Sequence, residues 1–292
     1  MKKVSIIILN WNGKEVLKGC LDSIKNHTTY PNYEIIIVDQ GSKDGSVEML
    51  EKEFPYVKLI KNEYNLGIPK ATNQAMKIAH GEYFALLGND TIVTLGWLEN
   101  MVKLTESDKR IASVGSTLIS PTQLKSRDYR LTNGYRERSN VPSISMLMRK
   151  KVVDRIGYYD EENFSPYGGD ETDWNYRARN IGYKVVEARN SIVAHVGSHD
   201  TKRQNPNQYL LLNEHRLKAM LYSLSLIDFL KRIPGLGLIF INSFKEGTTP
   251  ILLKSYWNNI KNWRNILQER KKRKEITRRL WEEQKKVGEG WF

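Results

Sequence analysis

The first third of the chain alternates two kinds of hydrophobic pattern. Val4–Leu9, Tyr33–Val38 and Tyr83–Leu87 are short runs that are apolar at nearly every position, and Val57–Lys61 is a shorter one. Between them the apolar residues fall at helical spacing: Val16, Leu17, Leu21 and Ile24 within Lys14–Asn26, then Ser46–Glu53 and Ile68–Ala79. A strand that is apolar on both faces must be covered on both faces, and strands alternating with helices are joined by crossovers. The pattern therefore predicts an α/β fold, a parallel sheet sandwiched by helices. In such sheets ligands bind beyond the carboxyl ends of the strands, which directs attention to the loops after Leu9, Val38 and Leu87.

The second half is less regular. Pro121–Val141 is polar and charged, too long for a core element, and is expected to be a mobile loop over the acceptor side. Ile144–Met148 predicts a strand, Lys150–Ile156 a short helix stopped by Gly157, and Tyr183–Val186 and Ser191–Ala194 two further strands. Beyond residue 208, Leu212, Leu217, Met220, Leu221 and Leu224 recur at helical spacing. Pro234-Gly235 interrupts, and Trp257, Ile260, Trp263 and Leu267 resume.

Composition narrows the class. A 292-residue chain with 40% hydrophobic residues, seven Trp and 15 Tyr has the material for a packed core. Cys20 is the single cysteine, which excludes an intrachain disulfide or a cysteine zinc cluster and predicts a reducing, cytoplasmic setting. The net charge of +13 is unevenly spread, +2 over residues 1–200 and +11 over 201–292. A nearly neutral body thus carries a basic arm suited to an anionic partner: a phospholipid surface, a phosphorylated acceptor or RNA. Val4–Leu9 is shorter than the ~7–15 apolar residues of a signal-peptide core. The best spanning candidate, Ala219–Phe240, is broken by Asp228, Lys231 and Arg232. An amphipathic arm with tryptophans and lysines fits attachment in the plane of a membrane, peripheral at its cytoplasmic face, with no span.

The strand-end loops read Asn10-Trp11-Asn12-Gly13, Asp39-Gln40-Gly41-Ser42-Lys43-Asp44-Gly45-Ser46 and Gly88-Asn89-Asp90-Thr91. No Gly-x-Gly-x-x-Gly follows the first strand and no loop ends in Gly-Lys-Ser/Thr, which argues against a dinucleotide dehydrogenase and a P-loop NTPase. Asp44-Gly45-Ser46 reads as a turn leading into a helix N-terminus. Asp39 has no evident capping task and stands out. Later in the chain, Asp170-Glu171-Thr172-Asp173 places three carboxylates within four positions at a helix start, more than capping needs.

In order and spacing, Asn10-Trp11-Asn12, the Asp39–Ser46 loop, Asn65-Leu66-Gly67 with Asn73, Asn89-Asp90, Gly157-x-x-Asp160-Glu161 and Asp170-Glu171-x-Asp173 resemble the family 2 glycosyltransferases over roughly residues 3–200. The resemblance implies a GT-A fold, Rossmann-like with a mostly parallel sheet, and a domain at 1–205. Its nucleotide-sugar half would be 1–120 and its acceptor half 121–205, with 206–292 a basic, amphipathic helical extension. It implies an inverting transferase of polysaccharide biosynthesis, moving a sugar from a UDP- or dTDP-sugar to a hydroxyl of a glycan or lipid-linked acceptor, with Mn or Mg. Leu9, Asn10, Trp11, Asp39, Gly67, Lys70, Asn73 and Asn89 would bind the donor, Asp39 by accepting from the imide nitrogen of the base. Asp90 would hold the metal, aided by His195, while Glu171 acts as base beside Asp170 and Asp173. Lys202 and Arg203, in Thr201–Gln208, would order over the diphosphate.

Two positions depart from the family pattern. Gly88 stands where a carboxylate or amide is usual, and Asp170-Glu171 inverts the usual Glu-Asp order. The departures support an alternative, a non-catalytic sugar-nucleotide-binding protein whose arm holds RNA or a partner; nucleic acid is otherwise not expected.

Overall fold

The computed structural model describes residues 1–197 and 205–286, and the chain divides into two compact units. The first is Met1–Tyr159 with Tyr183–Gly197; the second is Asp160–Gly182 with the chain after Gly197.

The first unit opens with β1 (Val4–Asn10), α1 (Lys14–His27), β2 (Tyr33–Asp39), α2 (Ser46–Glu53), β3 (Lys58–Lys61), α3 (Ile68–Ile78) and β4 (Tyr83–Gly88). It continues with β5 (Thr91–Val93), α4 (Trp97–Ser107), β6 (Ile111–Ile119), α5 (Pro121–Ser126), β7 (Tyr135–Arg138), β8 (Ser145–Arg149) and α6 (Lys150–Ile156). The chain then enters the second unit through α7 (Glu161–Phe164) and α8 (Asp170–Asn180) and returns as β9 (Lys184–His195). One sheet runs β3-β2-β1-β4-β8-β6-β9-β5, with β7 paired to β9.

The expected parallel sheet is present in β3-β2-β1-β4. Beyond it the sheet is mixed: β8 lies antiparallel between β4 and β6, β9 parallel to β6, and β5 and β7 antiparallel to β9. The core explains the early pattern. Leu17, Leu21 and Ile24 of α1 recur one helical face apart and pack with Ile6 and Ile8 of β1 and Ile35 and Ile37 of β2. Each such side chain removed from water contributes about 1.5–3 kcal/mol. Trp97 and Met101 of α4 enter the same cluster, and the Trp97 indole donates to Thr28 Oγ1 at 2.9 Å.

Two expectations are corrected. Pro121–Val141 is not an unstructured loop: Ser120 and Gln123 form a reciprocal capping box that starts α5, and β7 follows. Charge is no obstacle there, because β7 is exposed at every position and Arg138 pairs with Glu187 of β9. The two strands foreseen between 183 and 194 are one. A register shift between Ser116 and Thr117 of β6 lets β9 bulge through the polar residues 189–191. The elements β5, α4 and β6 were not foreseen.

In the second unit the later helices are α9 (Pro206–Ser223), α10 (Leu226–Leu230), α11 (Ile233–Glu246), α12 (Thr249–Lys261) and α13 (Trp263–Lys286). Pro234-Gly235 does not interrupt a helix, because Pro234 sits in the first turn of α11, where no backbone donor is lost. α9 packs against α8, α12 and α13, and Phe164, Ala219, Tyr222 and Ile266 form the centre. The basic run Arg270–Lys274 is only partly a solvated face. Arg270 donates to the Leu221 and Leu224 carbonyls that end α9, and Arg273 is buried. No described helix is long and apolar enough to cross a membrane.

Candidate active site

The ends of β1, β2 and β4 carry a continuous hydrogen-bonded relay. Asn89 donates to Asn10 Oδ1 at 2.9 Å, and Asn10 donates to Asp39 Oδ2 at 2.9 Å and Ser42 Oγ at 3.3 Å. Asp39 is 1% exposed. Contrary to expectation it has a local task, since its Oδ1 accepts from the Ser42 amide at 2.9 Å. A carboxylate oxygen can accept two hydrogen bonds and each here accepts one, so both retain capacity for a ligand donor. Ser42 Oγ also receives the Asn12 amide, and Asp44 caps the turn by accepting from Ser46 and from the Lys14 amide. These bonds lace two loops together before any ligand arrives.

Gly13, Gln40 and Ser42 were not foreseen as site residues. A Cβ at Gly13 would stand 2.5 Å from Asn89 Nδ2 and 2.9 Å from Asn10 Oδ1, so glycine alone leaves that bond intact. Buried Gln40 accepts from the Leu66 amide and fixes the approach to Gly67, which precedes α3. The only sequence signal for all three was their position in loops already singled out.

The other expected donor residues are placed unevenly. Leu9 is half-buried at the end of β1, Trp11 is exposed beyond it, and Lys70 is exposed on α3. Asn73 is buried, and its amide brackets Tyr159, donating to its carbonyl at 2.9 Å and accepting from its amide at 3.1 Å. Those bonds fasten the end of the first unit's long segment. Lys202 and Arg203 lie outside the described residues.

One turn past β4, Asp90 Oδ2 lies 3.0 Å from His195 Nε2, brought there by the pairing of Thr91 with His195 between β5 and β9. The bond to Asp90, outweighing partial burial, raises the His195 pKa above its ordinary value. A Cβ at Gly88 would meet Asp90 Oδ1 at 2.8 Å, and one at Gly197 would meet Oδ2 at 2.0 Å. Bare backbone on both sides thus leaves this carboxylate room, and the glycine that breaks the family pattern has a steric reason. Among the described residues no cluster of three or more His, Cys, Asp or Glu gathers as a complete metal cage. One carboxylate and one imidazole do fit a hard or borderline divalent cation whose remaining positions are filled by substrate oxygens and water. Beneath, the Cys20 thiol lies 3.6 Å from the Gly88 carbonyl, and burial pushes its pKa up to about 12, so it is inert.

In the second unit the acidic residues form the first turn of α8. Asp170 is 2% exposed, and its Oδ2 has no hydrogen-bond partner among the described residues. Burial first, and the Glu171 carboxylate second, push its pKa well above the usual range. Glu171, 8% exposed, accepts from Thr172 Oγ1 at 3.1 Å. Asp173 is fully buried and ion-paired: Arg177 Nε donates to Oδ2 at 2.8 Å and Arg273 to Oδ1. Arg273 also pairs with Asp160 and Glu269 and stacks over Tyr222 at 4.5 Å. The three carboxylates foreseen as one catalytic group are therefore three different environments.

Comparison with known proteins gives the family and the fold. The family model for glycosyl transferase family 2 matches residues 5–160. An uncharacterized glycosyltransferase of Haemophilus influenzae is 35% identical over 118 residues, 39% of this chain and 36% of that protein. The UDP-Glc:alpha-D-GlcNAc-diphosphoundecaprenol beta-1,3-glucosyltransferase WfaP of Escherichia coli is 28% identical over 208 residues, 65% of this chain and 74% of that protein. The chain therefore spans about a third of the first relative and about three quarters of the second. In architecture it is similar to the mannosyltransferase PcManGT of Pyrobaculum calidifontis, solved with GDP-Man and Mn2+. The TM-score is 0.60 at 16% identity, covering 89% of this chain and 75% of that one. The sheet order, the relay at the strand ends and the matched segment together make this chain a GT-A-fold member of glycosyl transferase family 2.

Proposed function

We propose that the protein is an inverting glycosyltransferase that moves a sugar from a UDP- or dTDP-sugar to a hydroxyl of a glycan or lipid-linked acceptor. The carrying observation is the relay Asp39–Asn10–Asn89, which ends one residue before the Asp90–His195 pair. Asp39 is assigned to the base, whose imide N–H it can accept while keeping both present bonds. Leu9 and Trp11 are assigned to the same donor-binding region, and Gly67 and Lys70 to its α3 side. Asp90 and His195 would hold the divalent cation, which on binding neutralises the leaving diphosphate. Mn is supported by its presence with PcManGT, and a UDP-linked donor by the name of WfaP.

On the acceptor side Glu171 is assigned as the base. It takes the proton of the acceptor hydroxyl as that oxygen bonds the anomeric carbon and the bond from that carbon to the diphosphate oxygen breaks. Asp170, favoured in its acid form, is a poorer base and can donate to its neighbour. Asp173 is assigned to holding α8, because both its oxygens are engaged by guanidinium groups. Residues 1–205 form the transferase body in this reading, and 206–292 attach it to a membrane surface. The diphosphoundecaprenol acceptor named for WfaP supports that attachment. The RNA-binding alternative loses support because Arg270 and Arg273 are spent inside the helical unit. Transfer assayed over a panel of nucleotide sugars, with Mn and with EDTA, tests the reading. Activity with UDP- or dTDP-sugars that EDTA removes is expected; equal rates in both conditions would remove the metal from the mechanism.

A further inference from the structure

The helical unit has a cavity of about 680 Å³, walled by Leu217 and Leu221 of α9, Leu236 of α11, Tyr256 of α12, and Ile266 and Leu267 of α13. Its lining is almost wholly apolar, and its size falls in the ~300–1,000 Å³ range of sites that enclose small ligands. Nothing in the transfer reaction proposed above uses it.

Its surroundings identify the class of occupant. More than half of the large hydrophobic side chains exposed among the described residues fall between Leu226 and Leu267. α11 is the extreme case. Ser243 alone of its residues is buried, while Leu238 is 62% and Phe244 64% exposed. A helix this apolar with so little to pack on has its partner outside the unit. The same stretch bears Lys231, Arg232, Lys245, Lys254, Lys261 and Arg264 against only Asp228 and Glu246, and it exposes Trp257 and Trp263. Apolar surface, interfacial tryptophans and a cationic rim together fit an anionic lipid surface. At 14 residues, α11 is shorter than the ~20 needed to span one, so it lies in the plane.

The geometry points to this cavity as the site that takes the hydrocarbon chain of the lipid-linked acceptor, drawn out of the bilayer on which α11 rests. The inference rests on the lipid-acceptor reading above. It commits to the acceptor over bulk lipid because of α9. That helix presents Leu217 and Leu221 to the cavity and packs with its other residues on the segment bearing the acidic turn. His215 Nδ1 donates to the Tyr167 carbonyl at 2.9 Å, and Tyr222 and Ala219 pack on Phe164. A chain seated on α9 is thereby registered against the element that carries Glu171. The cationic rim matches a diphosphate head, which a neutral hydrocarbon would not require.

Binding of cis-parinaric acid to the full chain, read by its fluorescence, gives occupancy. Geranylgeranyl diphosphate, inorganic diphosphate and a lysophosphatidylglycerol serve as competitors. Sedimentation with 3:1 phosphatidylcholine–phosphatidylglycerol vesicles reads docking separately. Displacement by geranylgeranyl diphosphate and not by inorganic diphosphate is expected. Leu236→Trp and Leu267→Trp, which fill the cavity, should weaken that binding about tenfold or more with vesicle binding retained. Leu238→Glu with Phe244→Glu should do the reverse. Lysophosphatidylglycerol competing as well as the isoprenoid would make this a bulk-lipid site and overturn the assignment. Undiminished binding in both filled variants would overturn it too. If the wild type binds the chain but not vesicles, the membrane reading fails and the cavity assignment survives.

Discussion

The strand ends of the first unit and the acidic turn of the second both place carboxylates where chemistry is proposed, but they hold them by different physics. Asp39 sits among neutral donors, the side-chain amide of Asn10 on the neighbouring strand and the backbone N–H of Ser42 three residues on. Asp173 is held by guanidinium groups, one from Arg273 a hundred residues later, while Asp170 beside it is buried with an oxygen unanswered among the described residues. Burial of this kind disfavours the charged form, so the carboxyl is held toward its acid form at a cost in stability. The contrast separates two tasks. In the proposed reading, the donor side would be preorganised by satisfied hydrogen bonds, while the acceptor side would keep one buried carboxyl next to the proposed base and leave anchoring to an ion pair.

The sharpest break of that contrast is Asp90→Ala. The residue is partly exposed and His195 is its one side-chain partner among the described residues, so the fold should persist by thermal melting while transfer drops to the assay limit. Near-normal transfer would remove Asp90 from the site. Next is Glu171→Gln, expected to lower transfer by ~10²–10⁴ with donor affinity unchanged in calorimetry. Asp170→Asn should spare transfer and raise stability at neutral pH. The sign follows from its raised pKa: the stability associated with the acid form is complete below the ordinary carboxylate value and is lost as pH rises through the raised one. The variant's advantage in urea melts should therefore grow from pH 4 upward. If Asp170→Asn abolishes transfer and Glu171→Gln does not, the two roles exchange.

A smaller effect is expected at Arg273→Met, which leaves buried Asp173 and half-buried Asp160 without their shared cation. Breaking such a buried pair from one side costs about 3–5 kcal/mol. Chemical denaturation should show that loss, while UDP affinity, assigned in the proposed function to the first unit's strand ends, should stay within error. An equal loss of donor binding would show that the two sides are not separately held.

How much of this was legible follows the same line. β1, β2 and β4 were readable because their neighbours on both sides make them apolar throughout, and the loops after them were short enough to point to Asn10, Asp39 and Asp90 directly. β5 and β7 were not, because a three-residue strand and an exposed edge strand carry no hydrophobic period. The roles of Asp173 and Arg273 were hidden for a different reason. Both lie in charge-rich runs whose local pattern is that of a solvated helix, and only a contact a hundred residues long turns them inward.

The smallest expected effect tests whether the first unit also depends on a long-range charge, away from its site. Glu34 of β2 is nearly buried, and burial alone would raise its pKa. Hydrogen bonds from Lys58, Ser5, the His80 amide and Lys3 outweigh this and hold it down to about 2. A depressed carboxylate contributes stability that is present above its unfolded value, near 4.5, and is lost as pH falls toward 2. Glu34→Gln should therefore cost about 2 kcal/mol at pH 7, less than Arg273→Met, because two of its four donors are uncharged and both lysines reach water. The difference between wild type and variant should shrink steadily from pH 5 to pH 3 in urea titrations. A gap that stayed constant across that range would mean the bonds act by shape alone, and the ionised carboxylate would not be what fastens β2 to the start of β1 and the turn before β4.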